Sequence, residues 1–208
     1  SHPTILKNFI NKFELKSPLL DECMENREAF LAKVMKEEKC SRGEAKTLVI
    51  ATINGKRYKS KTLVKLADEL KPIIDHIINL DEYKEIKDFV EETYKDDKNI
   101  AGKTISRILQ VIENDLLETY VDFFINKGLI TKYNDGYEVA LIFDGLQLRL
   151  NDKINDELLN ECRLYSMEKT GYDVELKVKP FDCLLDLPEN IDINDEDDLT
   201  ALIDKYEF

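Results

Sequence analysis

Apolar residues recur at three- and four-residue steps along most of the first 130 positions, a spacing that predicts a succession of amphipathic helices. Pro3 suits a first helical turn and predicts a helix running to about Phe13. A second is expected over Glu25–Lys39, where Phe30, Leu31, Val34 and Met35 share one face. Ser41-Arg42-Gly43-Glu44 is a capping-box pattern, in which Ser41 accepts from the third backbone N–H while Glu44 reaches back to the Ser41 N–H. It predicts a helix to about Ile53, and Asn54-Gly55 ends it. Two more stretches, near Ser60–Leu80 and Asp81–Tyr94, are charged outside and apolar inside. Thr104–Lys127 carries the best pattern: Ile105, Ile108, Leu109, Ile112, Leu116, Tyr120 and Phe124 form one continuous stripe, and Gly128 stops it.

The period then changes. Tyr137–Leu150 alternates, and Asp144-Gly145 is a two-residue hairpin signal because a type I′ turn needs positive φ at both positions. Counting outward from that turn, Phe143 faces Leu146, Leu141 faces Leu148 and Val139 faces Leu150, with Ala140, Ile142, Gln147 and Arg149 on the opposite side. Asp144 is then expected at an exposed tip. Asp152–Thr170 reads as a helix and Val174–Val178 as an alternating strand able to join the same sheet. The expected fold class is α+β, mostly helical, with a small antiparallel sheet built around the 137–150 hairpin and the 173–179 strand. Three regions are expected: a helical one over 1–100, a second over 101–187 and an acidic tail over 188–208 with a short helix at Leu199–Tyr206.

At 208 residues the chain is long enough for one large domain or two small ones. Its net charge of −13 repels a polyphosphate backbone over long range, which disfavours a free-standing nucleic-acid binder. The charge is uneven, however. Asp192, Asp195, Glu196, Asp197, Asp198, Asp204 and Glu207 crowd the tail, while Arg42, Lys46, Lys56, Arg57, Lys59, Lys61, Lys103 and Arg107 lie in the middle and leave room for a local basic surface. No apolar run approaches the ~20 residues that span a bilayer, so no membrane partner is expected. Cys23, Cys40, Cys162 and Cys183 are widely separated without a C-x-x-C pair, as expected of reduced thiols in a cytoplasmic or nuclear protein.

Few catalytic patterns fit. Gly102-Lys103-Thr104 invites a P-loop reading, but Asp97 stands where the first glycine belongs and the preceding stretch is charged and helical. A loop feeding a helix N-terminus is expected instead, with Lys103 near a phosphate. Only His2 and His76 are present, which excludes H-E-x-x-H hydrolases and leaves almost no material for a Ser-His-Asp triad. Arg42 and Lys46 lie one turn apart, with Ile50 and Asn54 at further four-residue steps. Two cations so placed form either a solvated surface or a grip on a triphosphate. Asp144 is either a good turn former or a metal ligand needing a second carboxylate.

Taken in order, these elements resemble family A-type DNA polymerases of a divergent, viral or mobile-element kind. Arg42, Lys46, Ile50 and Asn54-Gly55 are similar to the fingers helix that presents Arg, Lys, an aromatic and Tyr-Gly at four-residue steps. Asn99 to Thr104 and the helix behind it resemble the loop and long helix of the palm, and Phe143-Asp144-Gly145 resembles the hairpin of motif C. The resemblance covers most of residues 1–180. It implies a nucleotidyltransferase working by two Mg2+ ions on primer-template DNA and a deoxynucleotide triphosphate. Asp144 would be catalytic and ligate metal, and Arg42, Lys46, Ile50, Asn54 and His2 would meet the nucleotide. Lys103 and Arg107 would touch the nucleic-acid backbone. The other metal-binding Asp of such enzymes would precede Ser1, and a chain opening at Ser1 without Met is expected to be processed or a fragment, inactive alone.

Two alternatives stand beside that expectation. One is a catalytically inert interaction or regulatory module of a replication complex, with protein partners, favoured by the acidity and by Gly145 in place of a Glu. The other is an unrelated helical protein in which Arg42, Lys46 and Asp144 lie far apart.

Overall fold

The computed structural model describes residues 2–134, 136–142, 145–149 and 153–178, the side chain of Tyr133 excepted. Among them α1 spans His2–Lys12, α2 Pro18–Glu25, α3 Arg27–Glu38, α4 Arg42–Ile53, α5 Lys61–Ile77, α6 Lys84–Thr93, α7 Ile100–Asn126 and α8 Asp156–Thr170. A 3-10 turn at Asp81–Tyr83 leads into α6, and four short strands lie between α7 and α8: β1 Lys132–Tyr133, β2 Gly136–Tyr137, β3 Val139–Ile142 and β4 Gly145–Leu148. The fold is α+β, mostly helical with a small antiparallel component.

Helices α2 to α5, α7 and α8 begin where a side chain satisfies one of their free N–H groups. Ser41 and Glu44 form the expected reciprocal box: the Glu44 N–H donates to Ser41 Oγ at 3.3 Å, and the Ser41 N–H donates to Glu44 Oε2 at 2.8 Å. Ser60 caps α5 and Asn155 caps α8, while Gly171 ends α8 with φ +78°. Several starts differ from expectation; α8 opens at Asp156 rather than Asp152, and α6 at Lys84 rather than Asp81. Ser17 caps a separate helix opened by Pro18, so residues 18–25 form α2, and Asn26 ends it and caps α3. Asn99 accepts from the Gly102 N–H, so α7 opens at Ile100 rather than Thr104 and takes Gly102-Lys103-Thr104 into its first turns.

At 27 residues α7 runs about 40 Å. Its buried side chains, from Ile105 through Phe124, meet α1, α5, α6, α8 and β4. The apolar cluster so formed extends from Ile5 in α1 to Cys162 in α8, crossing position 100 without a break. Residues 1–176 make one compact unit; of the second, 177–208, only residues 177 and 178 are described.

The hairpin forms with its register moved. Val139 pairs with Leu148, Leu141 with Leu146 and Ile142 with Gly145, two positions from the expected pairing of Leu141 with Leu148. Because side chains alternate with a period of two, an even shift keeps Val139, Leu141, Leu146 and Leu148 on one face. A second ribbon, Lys132↔Tyr137 and Tyr133↔Gly136, precedes it, with Asn134 at φ +45°. Residues 174–178 are not a strand. Both backbone groups of Asp173 are taken by one side chain: its N–H donates to Asn8 Oδ1 at 2.8 Å, and its carbonyl accepts from Asn8 Nδ2 at 2.9 Å. Val174 and Leu176, with Tyr172 before them, turn onto the core, while Val178 is exposed. The tail helix expected at Leu199–Tyr206 lies outside the described residues.

Candidate functional site

The residues expected to meet a nucleotide lie along α4 and at the start of α7. Arg42 is exposed and forks onto Glu28, Nε to Oε2 at 2.9 Å and Nη2 to Oε1 at 2.5 Å, joining the starts of α4 and α3. The Arg42 hydrogen bond holds the Glu28 carboxyl below its ordinary range. Lys46 is exposed and has no ion pair among the described residues. Ile50 is half-buried. Asn54 ends the helix, its carbonyl accepting from Asn99 Nδ2 at 3.2 Å while its own Oδ1 is buried without a hydrogen-bond partner.

At that end α4 and α7 nearly touch. A Cβ on Gly102 would sit 2.2 Å from the Asn54 carbonyl oxygen and 2.4 Å from Asn99 Nδ2. Gly55, at φ +79°, faces the same junction. Gly102 is therefore a packing glycine, and its N–H is occupied by Asn99 Oδ1 at 3.2 Å. Lys103 is engaged as well: its Nζ lies 3.3 Å from Asp97 Oδ2 and 4.1 Å from the centre of the Tyr94 ring. The Asp97 carboxyl is held below its ordinary range, chiefly by the Asn99 backbone N–H and further by Lys103. The Gly-Lys-Thr triplet thus has no free amide cradle for phosphate.

The remaining expected residues lie elsewhere. His2 Nε2 contacts Glu113 Oε2 at 3.2 Å, linking α1 to α7. Arg107 is exposed on α7 and has no ion pair among the described residues. Asp144 lies outside the described residues. The structure brings Asn54 to the start of α7 beside Lys103, whereas Arg42 lies about 18 Å away along the α4 axis. Asp97, Tyr94 and Glu28, the partners that occupy these cations, were not anticipated. The charge-rich run 91–98 was the local signal for the first two.

Cysteine chemistry finds no site among the described residues. Cys23, Cys40 and Cys162 are free thiols, and burial pushes the Cys162 thiol up to about 12. No group of three or more His, Cys, Asp and Glu side chains suited to a metal occurs among the described residues. Among them too, no helix is long and apolar enough to cross a membrane.

The chain is similar to a viral protein. Over 199 residues the chain is 30% identical to "Putative helicase V13" of Sputnik virophage. It is similar to a segment of that protein. The alignment takes in 88% of this chain and 24% of the virophage protein, so the chain spans about a quarter of the relative's length. No family model matches, and no solved structure matches.

This match overturns the resemblance to family A-type DNA polymerases and with it the reading of the chain as a polymerase fragment. The relative carries a helicase's name, and its likeness extends across most of the chain. The polymerase likeness rested on short patterns that packing and capping account for: Gly102 at a helix crossing, Asn54 at a helix end and Arg42 in a surface ion pair.

Proposed function

We propose that this chain is a helical module without a motor of its own, working in a viral system that unwinds nucleic acid. The observation that carries the reading is the 30% identity with the virophage protein over 199 residues. The enzymatic step, in this reading, belongs to a nucleotide-driven motor that uses Mg2+ and lies apart from the residues described here. The geometry at Gly102 and Lys103 supports that division, since Asn99, Asp97 and Tyr94 already take the groups a P-loop would turn to phosphate. The module's task is to hold nucleic acid, or the motor, in place. Arg107, exposed and free of ion pairs among the described residues, is proposed as a phosphate contact. The likeness to a virophage protein supports a viral setting.

The 208-residue chain, assayed for ATP hydrolysis with and without single-stranded DNA, should show no turnover, yet should bind labelled oligonucleotides in low salt. DNA-stimulated hydrolysis that Lys103→Ala abolishes would refute the division of labour. Failure to bind any oligonucleotide in low salt would refute the nucleic-acid role.

A further inference from the structure

We propose that the segment 56–61, the connection from α4 together with the first residue of α5, is a contact surface for the phosphate backbone of nucleic acid; the inference rests on the functional reading above and gives it an address. Lys56, Arg57, Lys59 and Lys61 place four cations in six residues with no carboxylate among them, in a chain whose net charge is −13. All four side chains are exposed. Tyr58, between them, is half-buried and packs against the core, so the aromatic ring pins the segment while its neighbours face water.

Two carboxylates lie against the exit of the segment, where hydrogen bonds from Ser60 and Thr62 take up their oxygens. Glu37 accepts from Ser60 Oγ, from the Thr62 N–H at 2.9 Å and from Thr62 Oγ1 at 2.9 Å, and Glu38 accepts from the Ser60 N–H at 2.6 Å. These carboxylates cap α5. Arg57 pairs with Asp68 at 2.8 Å, but both side chains are more than half exposed, so a phosphate can take Asp68's place at little cost. Lys56 and Lys59 have no ion pair among the described residues, and Lys61 has a longer-range attraction to Glu37.

The segment is also held at both ends. Its start is fixed where Asn99 Nδ2 grips the Asn54 carbonyl at 3.2 Å and Gly55 meets the start of α7. Its exit is fixed by Glu37 and Glu38 at Ser60. Cations on an anchored backbone lose little conformational freedom when a polyanion arrives. The net negative charge of the chain does not forbid this, because at 0.1 M salt charges beyond about 10 Å are largely screened. Nucleic acid fits better than an anionic membrane, since no large apolar side chain is exposed within the segment to enter a bilayer. Such contacts supply affinity and register without reading sequence.

The test uses the full 208-residue chain and fluorescein-labelled single-stranded and duplex oligonucleotides, with anisotropy read over a salt series. K56E/K59E/K61E is compared with K16E/K84E/K132E, which changes the net charge equally but at exposed lysines elsewhere. Circular dichroism and thermal melting confirm that both variants fold. The loop variant should bind at least about tenfold more weakly, and its duplex salt slope should flatten by about 0.9 for each phosphate no longer neutralised. The control variant should stay close to the unmutated chain. Equal weakening in the two variants would overturn the loop assignment while leaving the nucleic-acid reading intact. Absence of binding by the unmutated chain would overturn both, as would loop-dependent binding to anionic phosphatidylserine vesicles alone.

Discussion

Replacing Gly102 by Ala puts a methyl carbon 2.2 Å from the Asn54 carbonyl oxygen and 2.4 Å from Asn99 Nδ2, both well inside contact distance. The first neighbour is backbone at the end of α4 and cannot swing aside. So α7 has to move away from α4, and Asn99 has also to rotate, giving up its bonds to the Gly102 N–H and the Asn54 carbonyl. Overpacking of this kind costs about 1–3 kcal/mol, and each hydrogen bond broken adds about 1 kcal/mol. Against this, Ala is favoured over Gly in a helix interior by about 1 kcal/mol. The balance is a net destabilisation of about 2 kcal/mol, which for a domain of this size lowers the melting temperature by roughly 4–8 °C. Thermal melts followed by far-UV circular dichroism, with urea titrations alongside, measure it. Gly43 is the internal control: it lies in α4 with nothing within 4 Å of the added Cβ, so Gly43→Ala should leave stability unchanged or raise it. A Gly102→Ala protein that melts at or above the unmutated temperature would show that the α4–α7 crossing is not as tight as described.

Glu37 should give stability a pH dependence. The Ser60 hydroxyl, helped by Thr62, holds its carboxyl below the ordinary value near 4.5, so its contribution is present above that value and fades as pH falls through the lowered one; Glu37→Gln should lose part of this acid slope in urea midpoints taken from pH 7 to pH 3. Cys162, fully buried and with its thiol pushed up to about 12, should resist iodoacetamide at pH 8 in the folded chain and react once urea unfolds it, as peptide mass spectrometry would report. Asn8→Ala should release residues 172–176 from α1, lowering the melting point and speeding trypsin cleavage at Lys177; an unchanged cleavage rate would deny Asn8 that role.

The sequence makes the helices legible because burial writes a 3.6-residue period into them and because their caps are local. Ser41 and Glu44 stand three positions apart and need nothing distant to find each other. The start of α2 carried an equally local signal, Ser17 followed by Pro18, but Asn26 ends one helix and begins the next, which blurs the spacing there. Residues 174–178 show the limit of periodicity. Alternation reports that every second side chain is covered, and here helices cover them while Asn8 takes the backbone groups a ladder would use. The site was less legible still, since the partners of its cations are tertiary facts: Glu28 lies 14 positions from Arg42, and nothing local to Arg42 announces it.

The four-step row of Arg42, Lys46, Ile50 and Asn54 shows why spacing alone misled. A helix turns about 100° per residue, so each four-residue step overshoots a full turn by about 40°, and three steps carry the row about 120° around the axis. The burial follows that drift: Arg42 and Lys46 are exposed, Ile50 is half-buried, and Asn54 ends with a buried Oδ1 beside α7. Over about 18 Å the row passes from solvent to core, so it does not form a single solvent-facing stripe. Any capped amphipathic helix produces such a row, because the same geometry that buries one stripe exposes polar residues beside it. An identity of 30% carried over 199 residues cannot arise from the shape of one helix, and for that reason it outweighs the row. What the row leaves behind is a tight crossing at Gly102, and from that crossing the basic segment 56–61 departs with its start already fixed.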